Sequence, residues 1–292
     1  MITIITLCTY RNRREKTISA FQSLVDQNVS GVNFIHCMVD DGSTDNTHEA
    51  IRSMFKNVQI LRGNGSLYWA GGMRYGWKNL IKSKQYDYLL VYNDDIWLKP
   101  DAVSNLLCCA NELRQSNYPK LFTITGAFHD EKGELSYSGL RSKNQCSPLK
   151  LHRVHPDSKK CIDVCTINMN VCLIPKQTID NVGFLSESFT HALADFEYGF
   201  RVRKRGGVNI LAPKYIGICN RNQETNLYHA CGFNLIKFLK INFSIKRGTF
   251  KEKLIYYFSA GGFFGAAVYV SYWIVFPLIF LVKNIRMGYD KS

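Results

Sequence analysis

Three acidic clusters are spaced along the first two-thirds of the sequence, and they give its clearest signal of chemistry. Asp40 and Asp41 lie in VDDGSTD, Asp94 and Asp95 lie in YNDDIWL, and Asp195 lies in ADFEYGFR. The first two clusters follow NFIHCMV and YDYLLVY, runs that are rich in residues favouring strands. We therefore expect both clusters at the carboxyl ends of strands, the edge at which open α/β sheets bind ligands.

The middle cluster has the residue types that suit a hard divalent cation. Mg²⁺ and Mn²⁺ prefer carboxylate oxygens, and such an ion is readily shared with a diphosphate. We expect Asp95 to be the metal ligand and Asp94 to bind a ribose hydroxyl or a metal-bound water. The alternative is that NDD only forms a turn or a helix cap ahead of Pro100.

Asp41 is a candidate for nucleotide recognition. A carboxylate at a strand end can accept a hydrogen bond from the N3–H group of a pyrimidine base. Taken alone, VDDGSTD is equally compatible with a turn that caps the following helix. Only the presence of the other acidic clusters favours the binding role.

Strand-like and helix-like segments alternate up to about residue 130, and this alternation predicts a mostly parallel sheet with crossover helices. A further helix is expected from about Asp195 to Arg205, ending at Gly206. Residues 139–160 are polar and basic, and they predict either a solvated loop or a lid over the substrate. The expected strands are 2–7, 33–39, 58–61 and 86–92, and the expected helices are 15–26, 47–55, 70–84 and one opening at Pro100.

Composition narrows the class of partner. The 292 residues carry 37 Lys and Arg against 23 Asp and Glu, a net charge of +14, which favours a phosphate-bearing molecule or an acidic membrane surface. Without zinc-finger spacings, an RNP-like strand or a basic heptad helix, we expect no nucleic-acid partner. The ten cysteines include no C-x-x-C pair and mostly lie in apolar runs, which favours reduced thiols in a reducing compartment.

The C-terminal part of the sequence differs from the rest. Residues 254–282 contain no formally charged side chain, although Gly261, Gly262 and Pro277 interrupt the run. The run is long enough to span a bilayer, but it could also lie in the membrane interface or form a core or oligomer helix. The cations that precede it favour a cytoplasmic main domain. We expect a basic connecting region over 216–253 and an apolar helical membrane-associating tail over 254–292.

Five ordered motifs over residues 1–215 resemble those of family 2 glycosyltransferases. They are ITIITLCTYRNR, VDDGSTDNT, GNGSLYWAGGMRYGW, YNDDIWLKPDA and ADFEYGFRVRKRG. The resemblance implies an inverting enzyme with a GT-A (Rossmann-like) catalytic domain over 1–215. Within the family, the third motif and the aromatic tail look most like bacterial rhamnosyltransferases of surface-polysaccharide assembly.

The resemblance also implies roles on the nucleotide side of the site. Thr9, Tyr10 and Arg11 would line the nucleotide pocket, and Asp41 would hold the base. Asp94 and Asp95 fill the last two places of the family's D-x-D-type element, whose first place is Asn93 here, and Asp95 would bind Mg²⁺ or Mn²⁺.

The remaining roles concern the acceptor and the sugar. Asp195 matches the position of the family's catalytic base, although Ala194 replaces the usual Glu. Glu197 is the reserve candidate, unless it only pairs with Arg201 one turn on. Tyr68 and Trp69 are candidates to stack on a sugar, and His191 to contact donor phosphate or acceptor.

The sequence thus predicts transfer of a sugar from dTDP-rhamnose or a UDP-hexose to a glycan or lipid-linked saccharide. The expected location is the cytoplasmic face of the bacterial inner membrane, with a peripheral or single inserted segment and possible oligomers. Two alternatives stay open: a catalytically silent nucleotide-sugar-binding scaffold of the same fold, and a nucleotidyltransferase. The second lacks a Gly-rich, basic triphosphate loop near the N-terminus.

Overall fold

The computed structural model describes residues 1–116, 119–142, 151–221, 231 and 234–289. Within them the predicted alternation of strands and helices is present up to the helix over Ala102–Gln115. The strands are β1 (Ile2–Tyr10), β2 (Val32–Asp40), β3 (Val58–Arg62), β4 (Tyr88–Tyr92), β5 (Trp97–Leu98), β6 (Phe122–His129), β7 (Leu135–Tyr137), β8 (Leu140–Arg141), β9 (His152–Arg153), β10 (Ile162–Val164), β11 (Val171–Pro175) and β12 (Val208–Ile218).

The helices flank the sheet and then form the tail. Helix α3 continues into a π-helical turn over Trp77–Ile81, and a short 3₁₀ turn over Ile245–Arg247 separates the last two helices. The helices are α1 (Arg14–Val25), α2 (Thr47–Met54), α3 (Tyr68–Gly76), α4 (Ala102–Gln115), α5 (Lys176–Val182), α6 (Ala194–Lys204), α7 (Leu235–Asn242) and α8 (Phe250–Tyr289).

One large sheet has the strand order β10-β12-β6-β11-β4-β1-β2-β3. The pairs β4–β1, β1–β2 and β2–β3 are parallel, as the alternating pattern predicts. β11 enters the sheet antiparallel to both β4 and β6, so the sheet is mixed. The apolar run over 161–175 does not form one strand; it divides into β10 and β11. The segment between them, which contains Asn168 and Asn170, therefore reaches the edge where β4 ends.

Both faces of the sheet are covered by apolar side chains. One cluster packs α1 and α4 on the first face, with Phe21, Leu24 and Leu106 buried. The other packs α3, α5 and α6 on the second face, with Met73 and Tyr198 buried. Strands buried on both faces read as continuous apolar runs, which is why β1 and β4 were recognisable from the sequence.

The cysteines follow the expected pattern with one exception. Cys8, Cys37 and Cys172 are buried and free, as small apolar side chains in the core. Cys109 of α4 and Cys161 are joined in a disulfide across a sequence separation of 52 residues. The sequence pattern did not predict this bond, because nothing in the local sequence indicates that the two segments meet. Residues 143–150 of the predicted polar loop lie outside the described residues.

The tail is one apolar helix with a break. α8 is interrupted at Gly262, whose φ of 62° and ψ of −153° are not helical, whereas Pro277 lies inside the helix without ending it. A helical stretch over Ile245–Val282 contains 18 consecutive residues with a mean hydropathy of 2.0, and it is long and apolar enough to cross a membrane by length and composition. Before the break, Tyr256 packs its ring against Phe200 of α6 with 5.9 Å between centroids. The first part of α8 is therefore docked on the main sheet domain.

Candidate active site

The first two acidic clusters lie where the sequence predicted them, at the carboxyl edge of the sheet, and Asp195 lies at the start of a helix, also as predicted. β2, β1 and β4 are adjacent parallel strands that end at Asp40, Tyr10 and Tyr92. The segments that follow these strands therefore meet at one edge. This edge positions Asp41, Arg13 and Asp94 within one region.

Arg13 bridges the two carboxylates of the middle cluster. One guanidinium nitrogen lies 2.9 Å from an Asp94 oxygen and the other lies 3.3 Å from an Asp95 oxygen. Asn12 and Arg13 both have left-handed backbone angles, with φ of 57° and 63°, and this turn brings the side chain across from β1. Such angles cost free energy outside glycine and cluster at functional sites.

Asp94 is harder to ionise than a free carboxyl group despite this contact. Desolvation by burial is the largest effect and raises the pKa of Asp94 to about 6, with the neighbouring Asp95 adding to it and Arg13 opposing it. One guanidinium thus offsets only part of the charge of two adjacent carboxylates. The pocket would be stabilised by further positive charge.

The donor set fits a divalent cation that completes its coordination with substrate oxygens. In the part of the chain that the structure describes, no three His, Cys, Asp or Glu side chains surround a common point, so there is no all-protein cage. Asp94 and Asp95 supply hard oxygen ligands, and Mg²⁺ characteristically binds through one or two carboxylates together with phosphates. An ion held here would share or displace the Arg13 contact.

Asp41 fastens the loop between β3 and α3. One of its oxygens accepts hydrogen bonds from the backbone N–H of Gly65 at 2.9 Å and of Leu67 at 3.2 Å, and the other accepts from Tyr68 at 3.0 Å. Gly65 has φ of 84°, which favours glycine, and its carbonyl accepts a bond from Arg11. The carboxylate therefore shapes the wall of the candidate nucleotide pocket from within.

Thr9 and Tyr10, the other two residues predicted to line this pocket, are buried. The Tyr10 ring is 2% exposed and belongs to the hydrophobic core. Thr9 lies under α3, where its hydroxyl approaches Gly72 so closely that a Cβ at this glycine would clash with it. Of the three predicted residues, only Arg11 is exposed at the edge of the sheet.

Asn93 and Trp69 are connected by a hydrogen bond. The Trp69 indole Nε1–H donates to the Asn93 side-chain oxygen at 2.8 Å, and the Asn93 amide donates to the Asn170 side-chain oxygen at 3.0 Å. Asn93 thus fixes the orientation of the ring predicted to contact a sugar. The substitution of Asn for the family's Asp has a structural role in this chain.

The same network continues to Asp195. The backbone N–H of Asn170 donates to the Asn168 side chain at 3.0 Å, and the Asn168 amide donates to Asp195 at 3.3 Å. Asp195 lies in the first turn of α6 and also accepts from the N–H groups of Phe196 and Met169. Desolvation by burial, only partly opposed by these backbone bonds, raises the pKa of Asp195 to about 6. A raised pKa is typical of a carboxylate that exchanges a proton near neutral pH.

Glu197, the reserve candidate, is held in an ion pair. Its two oxygens accept from Nε and Nη2 of Arg201, each at 3.0 Å, and the side chain is 5% exposed. Arg201 also donates to the carbonyls of Val182 and Phe184. Glu197 is therefore satisfied as a structural ion pair, the alternative that its i,i+4 spacing already indicated.

His191 and the two aromatic candidates come together next to α3. The His191 Nδ1 accepts from the Trp69 backbone N–H at 3.4 Å, and its ring lies 6.2 Å from that of Tyr68 in an edge-on arrangement. Burial first, and then the charge of Lys246, lowers the pKa of His191. This histidine is therefore predominantly neutral near pH 7 and suits a hydrogen-bonding role.

Sequence reasoning missed Arg13, Asn168 and Asn170. Arg13 belongs to the basic run RNRR directly after β1, and that position was a usable signal. The two asparagines stand in the apolar run TINMNV, where polar side chains need partners. Their partners come from β4 and α6, far away in sequence, so pattern alone could not identify them.

Comparison with known proteins agrees with this arrangement. Residues 5–133 match the model of glycosyl transferase family 2. A crystal structure of GalNAc-T7 with UDP, GalNAc and Mn²⁺ superposes with a TM-score of 0.60 at 12% sequence identity, covering 76% of this chain and 44% of that chain. The chain thus spans less than half of that protein, and the likeness establishes a GT-A-like α/β fold. No curated protein sequence matches the chain.

Proposed function

We propose that the chain is an inverting glycosyltransferase that moves a sugar from a nucleotide-diphosphate sugar to a glycan or lipid-linked saccharide. One observation carries the proposal: a hydrogen-bond network connects Asn93, the residue directly before the Asp94–Asp95 pair, to Asp195 across one sheet edge. It runs from Asn93 through Asn170 and Asn168 to the Asp195 carboxylate. The family match over residues 5–133 supports the same reaction class.

Asp195 is the proposed general base. The acceptor hydroxyl oxygen attacks the anomeric carbon, its proton passes to the Asp195 carboxylate, and the bond from that carbon to the diphosphate oxygen breaks on the opposite face. Proton removal of this kind contributes roughly 10² to 10⁴-fold to a rate. The position of Asp195 in the first turn of α6 fixes its carboxylate through backbone N–H bonds.

Arg13, Asp94 and Asp95 form the proposed diphosphate side. Asp94 and Asp95 would hold Mg²⁺ or Mn²⁺, and the bound ion would offset the charge of the departing nucleoside diphosphate. Arg13 is suited to bind a phosphate oxygen when donor arrives, since its guanidinium is a fork of donors that is 41% exposed. Asp94 has the additional role of contacting ribose.

Trp69, Tyr68 and His191 form the proposed sugar side, and Asp41 with Arg11 the nucleotide side. The Trp69 ring is oriented by Asn93, so it can offer a fixed apolar face to a sugar. The donor that the motifs favour is dTDP-rhamnose, followed by UDP-hexoses.

Membrane association is part of the proposal. Only 22% of the most apolar 18-residue segment of the tail helix is buried inside the protein. Most of the surface of this segment is therefore available to another apolar phase. We place the enzyme at the cytoplasmic face of the bacterial inner membrane, in assembly of cell-surface polysaccharide. An acceptor carried on a lipid would be presented there.

A thermal-shift panel tests the donor assignment. Nucleotide sugars are added with Mn²⁺ or with EDTA, and a ligand that binds the native state raises the unfolding temperature by mass action. We expect a dTDP- or UDP-sugar to stabilise only with Mn²⁺. During turnover, the sugar of the same donor should be transferred to the acceptor and the nucleoside diphosphate should be released. Stabilisation without turnover on any glycan acceptor would instead favour the silent scaffold, and no stabilisation by any nucleotide sugar would refute both.

A further inference from the structure

The tail folds back on itself after Gly262. Phe238 of α7 stacks on Phe276 with 5.1 Å between ring centroids, and Phe243 lies 4.7 Å from Trp273. Phe250 lies 5.3 Å from Tyr269. The segment 235–250 therefore runs beside residues 269–280, and the two form a helical hairpin.

The hairpin exposes apolar side chains that the protein does not cover. Phe263 is 85% exposed, Ile274 73% and Leu278 68%. Residues 263–282 would measure about 30 Å as a helix, close to the thickness of a bilayer core, so length alone allows spanning. The polar segment that packs beside this helix indicates whether the helix crosses the bilayer or lies in its interface.

A polar 3₁₀ turn in the first arm of the hairpin lies beside the middle of the apolar helix. Lys246 and Arg247 are exposed in the 3₁₀ turn that precedes α8, next to the positions that contact Tyr269 and Trp273. If residues 263–282 crossed a bilayer, this irregular backbone and its cations would face hydrocarbon, where neither is tolerated. Lying in the interface, the hairpin keeps these cations at the level of anionic head groups.

We propose that the α7–α8 hairpin is a monotopic membrane-binding element that docks on an anionic lipid surface without crossing the bilayer. The proposal rests on the proposed membrane-surface glycosyltransferase and states how that enzyme meets its membrane. The apolar side chains beyond Gly262 enter the acyl boundary, and Lys237, Lys240 and Lys246 contact phosphates. The catalytic domain and the C-terminal end of α8 then lie on the same side.

Flotation and topology together test this inference. The full chain should float with vesicles of phosphatidylcholine and phosphatidylglycerol, and the double variant I274D/L278D should bind at least about ten-fold more weakly. Met54→Asp changes an exposed apolar residue of the main domain and serves as the matched control. Wild-type protein that stays at the bottom and forms a dimer in light scattering would overturn lipid as the occupant.

Reporter fusions at the C-terminus distinguish docking from spanning. In a bacterial host, a fluorescent protein that matures in the cytoplasm should fluoresce, and a phosphatase that needs the periplasm should stay inactive. The reverse pattern would overturn the monotopic orientation. Neither readout depends on turnover, so a failure here is distinct from failure of the glycosyltransferase assignment.

A second inference concerns Glu252, in the first turn of α8. One of its oxygens accepts from the Thr190 backbone N–H at 2.7 Å and the other from Thr249 at 2.6 Å, and the side chain is 4% exposed. The Thr190 carbonyl in turn accepts from Ala70 and Gly71 of α3. Glu252 thus secures the loop that carries His191 and leads to Asp195.

We infer that Glu252 is a positioning residue that couples the tail to the acceptor side of the site. The contact is a charge-assisted bond to backbone in a buried position, which holds a loop more firmly than a neutral bond would. Because Thr190 is followed directly by His191, loss of the bond frees a predicted substrate contact. The bond between Glu252 and Thr190 does not involve Asp95 on the proposed diphosphate side.

Hydrogen exchange and a split in kinetic parameters test the role. Glu252→Ala should speed amide exchange at Thr190, leave binding of UDP–Mn²⁺ or dTDP–Mn²⁺ within about two-fold, and lower kcat by about ten- to hundred-fold with the donor found in the panel. Glu252→Gln keeps one acceptor oxygen and should restore part of kcat. Glu187→Ala removes an exposed carboxylate from the same loop and is the control. Unchanged Thr190 exchange in Glu252→Ala, or equal losses of nucleotide binding and kcat, would overturn the inference even if no donor is found.

Discussion

Replacing Asp195 with Asn is the sharpest test of the proposed mechanism. The amide keeps the shape of the side chain but cannot accept a proton from the acceptor hydroxyl. We expect kcat to fall by roughly 10² to 10⁴-fold while donor binding stays nearly unchanged. In the wild type, the rate should rise with pH through about 6, the raised pKa of Asp195, because only the ionised form is a base.

Asp195→Asn should raise the free energy of unfolding near neutral pH even though it lowers turnover. The unfolded Asp ionises at 3.8 and the folded one at about 6, so the native state holds the proton more tightly. This group's contribution to stability therefore falls as pH rises between these values and stays low above them. At about 1.4 kcal/mol per pH unit, the ionised carboxylate costs roughly 3 kcal/mol. Asp195→Asn removes that cost and so raises the free energy of unfolding. Part of this increase is lost, because the new amide NH₂ group can face the donor groups of Asn168 and Met169.

Two measurements test whether Asp195 is the general base. Turnover is followed with the donor from the thermal-shift panel, and unfolding free energy is followed by urea denaturation at about pH 5 and pH 8. We expect the variant to show the reduced turnover, to be at least as stable as the wild type at the higher pH, and to lose the part of the pH dependence of stability that Asp195 contributes. Near-wild-type turnover in Asp195→Asn, together with an inactive but folded Glu197→Gln, would move the base to Glu197 and refute the reasoning.

Four further variants probe the rest of the site and the tail. Asp95→Ala should weaken nucleotide-diphosphate binding in Mn²⁺ by at least about ten-fold and abolish the effect of EDTA in calorimetry; equal wild-type binding in EDTA would exclude the metal role. Asn93→Asp sets a carboxylate oxygen against the Asn170 oxygen and should cost about 1–3 kcal/mol in denaturation without improving turnover. A chain ending at Gly261 should leave the membrane fraction while retaining donor binding. A chain ending at Gly248 also loses Glu252 and should unfold at a lower temperature than the chain ending at Gly261. Equal unfolding temperatures of the two truncated chains would contradict the docking of the first part of α8 on the main domain.

The sequence predicted the sheet edge well because its signals are local. A buried parallel strand is a continuous apolar run, and the acid after it must lie at the carboxyl end, as Asp41 and Asp94 do. The antiparallel insertion of β11 was not predictable, since strand direction depends on long-range pairing. The contacts of Asn168 and Asn170 follow from that insertion. The burial of Tyr10 depends on packing within the first core cluster, whose members are far apart in the sequence.

The two departures from the family's motifs, Asn93 and Ala194, are both integrated into the packing. Asn93 donates and accepts at once, a pair of roles that an ionised Asp cannot fill. Ala194 is fully buried in the second core cluster, where a Glu would place a charge among apolar side chains. Asp95 and Asp195, the residues proposed for the metal and for the base, are both present next to these positions. The argument for a silent scaffold rests on the two substitutions, and the packing gives each of them a structural explanation.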